Sequence, residues 1–401
     1  MGVEADARSD RAEVSGRLTA GAGGELVTDE AWVALLGADR RAWLLASDEP
    51  AARWVALTEL LDRPADDPSV AAARSAVLAD PGTGDLIGRL PDWEADNHLS
   101  GHESPAFAPN LLGLLADMGV RSGDDPRIDR LLDIMLEHQG EEGRFWSFGS
   151  SRMSREPVWG ALLCDTHAIT EVLVRYGRAG DPRTRRALDR MVADMAADRA
   201  ATRQGPAWPC VPWQGFRGPG RKDEACLQVT IEALRTFARP PEADRPPGLL
   251  DAARTGLRAW RVRGEERPYM FGHGVAFKTV KWPPFWYGIL TVLDALGRYA
   301  ALWRGPDARP EDRDALAELV ACLVAYNVAA DGTVTPRSCY RGFEAYSFGQ
   351  KKLPSPYATA RVLAVLCRFD DLAAEARDVD VLALSSSKGG TGRPQPPKAR
   401  R

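Results

Sequence analysis

A four-part unit recurs along this chain, and it constrains the fold more than any local pattern does. Each copy has an inner helix rich in small and apolar residues, an Asp-Pro-Arg corner, an outer amphipathic helix and a turn pairing glycine with an aromatic residue. The first copy runs Asn110 to Gly119, Asp125-Pro126-Arg127, Ile128 to Gln139, then Gly143-Arg144-Phe145-Trp146. The second runs Ala161 to Gly177, Asp181-Pro182-Arg183, Ala187 to Asp198, then Gly205-Pro206-Ala207-Trp208. Looser copies place inner helices at Cys226 to Ala238 and Phe285 to Ala301, and outer helices at Leu249 to Val262 and Ala315 to Tyr326. Tyr357 to Cys367 is a fifth inner helix. The corner has a physical logic: an Asp N-cap accepts a free backbone N–H, and Pro in the first turn gives up no hydrogen bond. No such unit buries its apolar face alone, so the units must stack. The pattern predicts an all-α protein.

Before the repeats, residues 29–100 carry short amphipathic pieces. Trp54, Leu57, Leu60 and Leu61 share one face at helical spacing, and the pattern breaks at Pro64 and restarts after Pro68. This predicts a HEAT-like helical N-terminal region, followed by a repeat domain over 101–375. Residues 1–28 are polar and Ala/Gly-rich and are expected to be a flexible leader; 384–401 are Ser, Gly, Pro and basic residues, expected to be a disordered tail.

Charge narrows the partners. The 52 Lys and Arg against 56 Asp and Glu give a net charge of -4, which disfavours broad nucleic-acid binding. No apolar run approaches the ~20 residues needed to cross a bilayer, and the opening residues lack a charged-then-apolar signal pattern, so a cytoplasmic protein is expected. The excess of Arg, Ala, Asp and Gly fits a high-GC bacterial genome. Six cysteines in 401 residues read as buried thiols or metal ligands rather than a disulfide framework.

The segment Leu131-Leu132-Asp133-Ile134-Met135-Leu136-Glu137-His138-Gln139-Gly140-Glu141-Glu142-Gly143-Arg144-Phe145 resembles the Gln/Trp repeat of the squalene–hopene cyclase and protein prenyltransferase superfamily. Tyr326 to Val334 is a degraded copy, and the resemblance spans roughly 105–370. It implies an (α/α) toroid, with inner helices around a central cavity and outer helices wrapped round them. It also implies a terpenoid cyclase- or prenyltransferase-like enzyme with an isoprenoid or other hydrophobic ligand in that cavity. The acidic Asp-x-Asp-Asp motif of the cyclases is absent from the sequence, which argues against a hopene-type reaction. The Asp, Cys and His that hold zinc in prenyltransferases have no counterpart here in the same order and spacing.

Residue chemistry marks two clusters. Cys164 and His167 lie three apart on an inner helix, and Ala168 and Glu171 continue that stripe. With Cys210 and Cys226 they make a candidate Zn²⁺ site, because thiolates and imidazole suit tetrahedral zinc; Asp165 is a supporting partner. Three buried thiols and a core histidine explain the same residues without metal. The second cluster is basic and aromatic. Arg217, Arg221 and Lys222 in a Gly-rich loop, with Lys278, Lys281, Trp282, Trp286 and Tyr287, are candidates for holding an isoprenoid diphosphate. Solvated cations and ordinary aromatic packing account for them equally well. Asp165, His167 and His273 are the candidate catalytic groups. His102 and Glu103, before Pro105, read more simply as a helix cap than as groups aimed into a cavity mouth. The competing expectation is a non-catalytic toroid that binds a protein or lipid partner, any zinc being structural.

Overall fold

The computed structural model describes residues 30–99, 101–150, 156–196, 201–209, 224–268, 271 and 274–385. The expected leader at 1–28 and the tail from 386 onward lie outside them. The protein is mostly helical. Five short helices open it: α1 (Ala31–Leu36), α2 (Arg41–Leu45), α3 (Pro50–Val55), α4 (Pro68–Ala79) and α5 (Pro81–Gly88). The repeat region then gives α6 (Ala108–Asp117), α7 (Pro126–Glu137), α8 (Leu163–Arg175), α9 (Pro182–Ala196), α10 (Leu227–Phe237), α11 (Leu249–Arg261), α12 (Val275–Lys278), α13 (Ile289–Leu296), α14 (Pro310–Asn327), α15 (Pro356–Leu366) and α16 (Ala373–Asp378). Among the described residues, strand is confined to three two-stranded pairs of two or three residues per strand.

The Asp-Pro-Arg corners are built as their chemistry requires. Asp125 accepts the Arg127 N–H at 2.9 Å, and the Arg127 guanidinium folds back onto the same carboxylate at 2.9 and 2.8 Å. Asp181 and Arg183 repeat this at 2.8, 3.1 and 3.0 Å. The Gln of the Gln/Trp-like segment joins one unit to the next. Gln139 Nε2 donates to the Gly143 carbonyl at 2.9 Å and to the Arg183 carbonyl at 2.8 Å, while Arg186 donates to its Oε1 at 2.6 Å. Gly143 has φ +90°, and a Cβ there would lie 2.8 Å from the Arg186 carbonyl oxygen. Only glycine serves that approach.

Inner helices pack in chain order: α6 on α8, α8 on α10, α10 on α13 and α13 on α15. Helix α15 also packs on α3, α3 on α4, α4 on α5 and α5 on α6. The outer helices α9, α11 and α14 lie against α8, α10 and α13 respectively. One core runs from Trp32 to Ala376, so the N-terminal helices share the core of the repeats.

Two helices differ from expectation. The helix over Trp54 to Leu61 turns π-helical at Ala56–Leu60, where Thr58 Oγ1 bonds back to the Trp54 carbonyl at 2.8 Å. The helix expected from Phe285 to Ala301 is only Ile289–Leu296. Pro283 and Pro284 hold the preceding backbone extended, and Gly288, at φ -164°, enters the helix from extended conformation.

Candidate functional site

The inner helices turn a polar stripe toward one another at i, i+3/i+4, i+7 spacing. Asn110, Gly113 and Asp117 of α6, Ala168 and Glu171 of α8, Gln228, Glu232 and Arg235 of α10, and Thr291 of α13 line one cavity of about 60 Å³ with Pro283, Pro284 and Phe285. That is room for only a few non-hydrogen atoms, and the lining is mainly polar rather than aromatic.

Toward the C-terminal ends of these helices the stripe becomes an ion-pair network. Arg175 pairs with Asp117 and lies 3.8 Å from Glu171. Arg235 bridges Glu171 at 3.7 Å and Asp294 at 3.5 Å. Arg368 joins Asp294 at 2.8 Å to Glu59 at 2.9 Å. Arg361 joins Glu59 at 2.8 Å to Asp117 at 3.2 Å. Burial pushes the Asp117 carboxyl up, but Arg175, Arg361 and Arg235 outweigh it and hold it at about 2. Glu171 and Asp294 are likewise raised by burial and more strongly lowered by their arginines. Glu232 is the exception. Burial drives it up to about 8; the Gln228 hydrogen bond and Arg235 oppose this, while Asp165 and Glu171 add to it. The cavity therefore holds ionised carboxylates and one neutral carboxyl at pH 7.

A second constellation lies beside the cavity. His102, Cys164 and Asp165 bring one nitrogen, one sulfur and one oxygen within 4.8 Å of one another. Cys164 and Asp165 occupy the first turn of α8, and Cys164 Sγ approaches Asp165 Oδ1 at 3.7 Å. His102 is held by stacking on Trp286, with centroids 4.9 Å apart, and its carbonyl accepts from the Asn110 amide at 3.0 Å. Its Nδ1 is buried without a hydrogen-bond partner, and burial lowers the imidazole to about 4. A neutral imidazole, a thiol and a carboxylate form a donor set that suits Zn²⁺. Asn110 links the two constellations: it holds His102 and lines the cavity.

The predicted site residues divide. Cys164 and Asp165 come together, but His167 does not join them. It is fully buried, its Nδ1 donates to the Val229 carbonyl of α10 at 3.0 Å, and its ring meets Trp208 edge-on. It reads as a core histidine, lowered to about 4 by burial. Cys226 is the N-cap of α10, its N–H bonded to the Trp208 carbonyl at 2.8 Å; it is not in the His102 group. Cys210, Arg217, Arg221, Lys222 and His273 lie outside the described residues. Lys278 is buried against the rings of Trp260 and Tyr326, and exposed Lys281 covers Tyr340 at 3.7 Å. Trp282 and Tyr287 are core residues; Trp286 stacks on His102.

Sequence reasoning missed Gln228, Glu232 and Asp117, and set His102 aside as a cap. The available signal was the polar spacing on α10, where Gln228, Glu232 and Arg235 interrupt a helix otherwise apolar on its inner side. Comparison with protein-family models, with curated proteins and with solved structures gives no significant match. No described helix is long and apolar enough to cross a membrane.

Proposed function

We propose that the helical hairpins close into an (α/α) toroid and that its centre is a metal-assisted enzyme site. The contacts of α15 with α3 and the ion pairs from Arg361 to both Glu59 and Asp117 support closure. The convergence of His102 with Cys164 and Asp165, 62 residues apart in sequence at the least, carries the site reading. Three mixed protein ligands leave a fourth position open, the arrangement of catalytic rather than structural zinc. Bound Zn²⁺ would supply Lewis-acid polarisation there. The chain's own groups do the rest: Asn110 and Trp286 fix His102, and Glu232 and Gln228 meet what enters the cavity.

The resemblance to terpenoid cyclases and prenyltransferases implied an isoprenoid or other hydrophobic ligand in a central cavity. The small polar lining narrows this. Only the polar end of a ligand fits inside, and any hydrophobic part would rest against Phe285 and Trp286. Glu232 is a weak acid, so it suits proton exchange with oxygen or nitrogen and not alkene protonation. The small cavity volume favours one other reading, a non-catalytic toroid with structural metal.

Elemental analysis of the purified chain tests the proposal. About one zinc per chain is expected, retained by Cys226→Ser and released by Cys164→Ser and by Asp165→Asn. Metal-free protein never exposed to chelator would sink the site. A Co²⁺-substituted protein separates the two readings: a spectrum that responds to added anions marks an open position, and an unresponsive one marks a structural metal.

A further inference from the structure

Glu232 and Gln228 stand one turn apart on α10, and each is less than a tenth exposed. Gln228 Nε2 donates to Glu232 Oε1. That bond fixes the amide orientation and leaves two buried oxygens, Gln228 Oε1 and Glu232 Oε2, with no hydrogen-bond partner. Both residues line the cavity. Unpaired buried polar atoms are costly, so a pair of them facing one small cavity points to something that enters it.

The charges around the pair select the chemistry. Among the described residues no Lys, Arg or His forms an ion pair with Glu232, whereas Arg235, one turn on, is engaged by Glu171 and Asp294. Burial outweighs the pull of Arg235 on Glu232, so its carboxyl keeps its proton. Its Oε1 accepts from Gln228, so the proton belongs on Oε2. The pair then offers one O–H donor and one carbonyl acceptor; Arg235, which also lines the cavity, has its Nε buried without a hydrogen-bond partner and adds a donor beside them. Asp117 and Glu171 line the same space and oppose an anion. A cation would have to displace the Glu232 proton beside Arg235.

We propose that this cavity is a subsite for one uncharged ligand group that both donates and accepts a hydrogen bond, an alcohol hydroxyl or a carboxamide, held between Glu232 and Gln228. The proposal deepens the enzyme reading by naming the part of the substrate that sits inside the toroid. It rests on that reading only for what happens beyond the cavity.

The test uses the full chain and four probes of similar size: ethylene glycol, acetamide, acetate and acetamidinium. Binding is followed by ligand-observed NMR. Ethylene glycol and acetamide should saturate at concentrations on the order of 10 mM, as suits ligands of four heavy atoms. The two charged probes should bind at least about tenfold more weakly. Glu232→Gln keeps a neutral donor and should stay within about threefold of the wild type. Glu232→Met and Gln228→Met should each abolish saturation, with thermal melting confirming that the variants are folded. Preference for acetamidinium, lost in Glu232→Gln, would overturn the proposal by showing an anionic site. No saturable probe at all would also overturn it, leaving the cavity to water. Repeating the titration on chelated protein keeps the two proposals apart. Probe binding without metal leaves this subsite standing if the zinc reading fails. Zinc binding without probe selectivity does the reverse.

Discussion

Glu232 makes the folded protein hold a proton that the unfolded chain releases. Its carboxyl is raised from 4.5 to about 8, chiefly by burial. The sign follows by linkage. The contribution to stability is fully present below about pH 4.5, falls as pH rises toward about 8, and is constant beyond. The total change is at most about 5 kcal/mol. His167 works in the opposite direction. Burial lowers it from 6.5 to about 4, so its contribution is lost as pH falls through that interval. The wild-type profile alone mixes the two, and the difference between wild type and Glu232→Gln isolates the first. Urea unfolding of both proteins should show the wild type losing ground to the variant between about pH 5 and 8. Parallel profiles would mean that Glu232 is ionised in the folded state.

At the scale of the element, the corners and the Gln139 link are separable devices. The Asp125 cap and its Arg127 clamp are local and exposed, so Asp125→Ala should cost only about 1 kcal/mol. Gln139 reaches the next hairpin through two of its three bonds, and Gln139→Ala should cost about 2 kcal/mol because it removes the donor to the carbonyls of buried Gly143 and half-buried Arg183, while exposed Arg186 turns to water. Chemical denaturation of the two variants ranks them; an equal loss would make Gln139 another local cap. The same distinction explains what was legible in the sequence. Asp-Pro-Arg announces itself because all its bonds close within two residues. The inner and outer helices announce themselves because their apolar periods do. The start of α13 was misjudged because Pro283 and Pro284 override an apolar run that continues across them. The grouping of the candidate ligands differs from the expected one for a different reason. Helical spacing put His167 beside Cys164, but the Val229 carbonyl of α10 takes the His167 Nδ1, and the imidazole near Cys164 arrives from a segment 62 residues earlier. Nothing local encodes that meeting.

The whole molecule is where closure is decided, and Arg361 is the residue that tests it. It sits on the last inner helix and is 6% exposed, yet it bridges Glu59, in the turn that follows α3, and Asp117 at the end of α6. The π-helical turn at Ala56–Leu60 contains Glu59, so an irregularity at the end of α3 coincides with the link to α15. With Arg239, 3.3 Å from Glu171, and Arg298, 3.1 Å from Asp294, six arginines face the four carboxylates of this network, and their positions near helix C-terminal ends offset part of that excess. Removing Arg361 takes one cation from each of two carboxylates, Glu59 and Asp117, which keep Arg368 and Arg175, so Arg361→Met should cost at most about 3–5 kcal/mol. Arg127→Met breaks an ion pair whose arginine is 55% exposed and should cost less than about 1 kcal/mol. The size of the loss shows only that the network matters; its distribution shows the shape. In a closed toroid, hydrogen-exchange protection should fall together in α3, α6 and α15, because the first and last hairpins are neighbours. In an open stack of hairpins, protection would fall in α15 and α13 and leave α6 untouched. The second outcome would remove the closed toroid and, with it, the central cavity as an enclosed site.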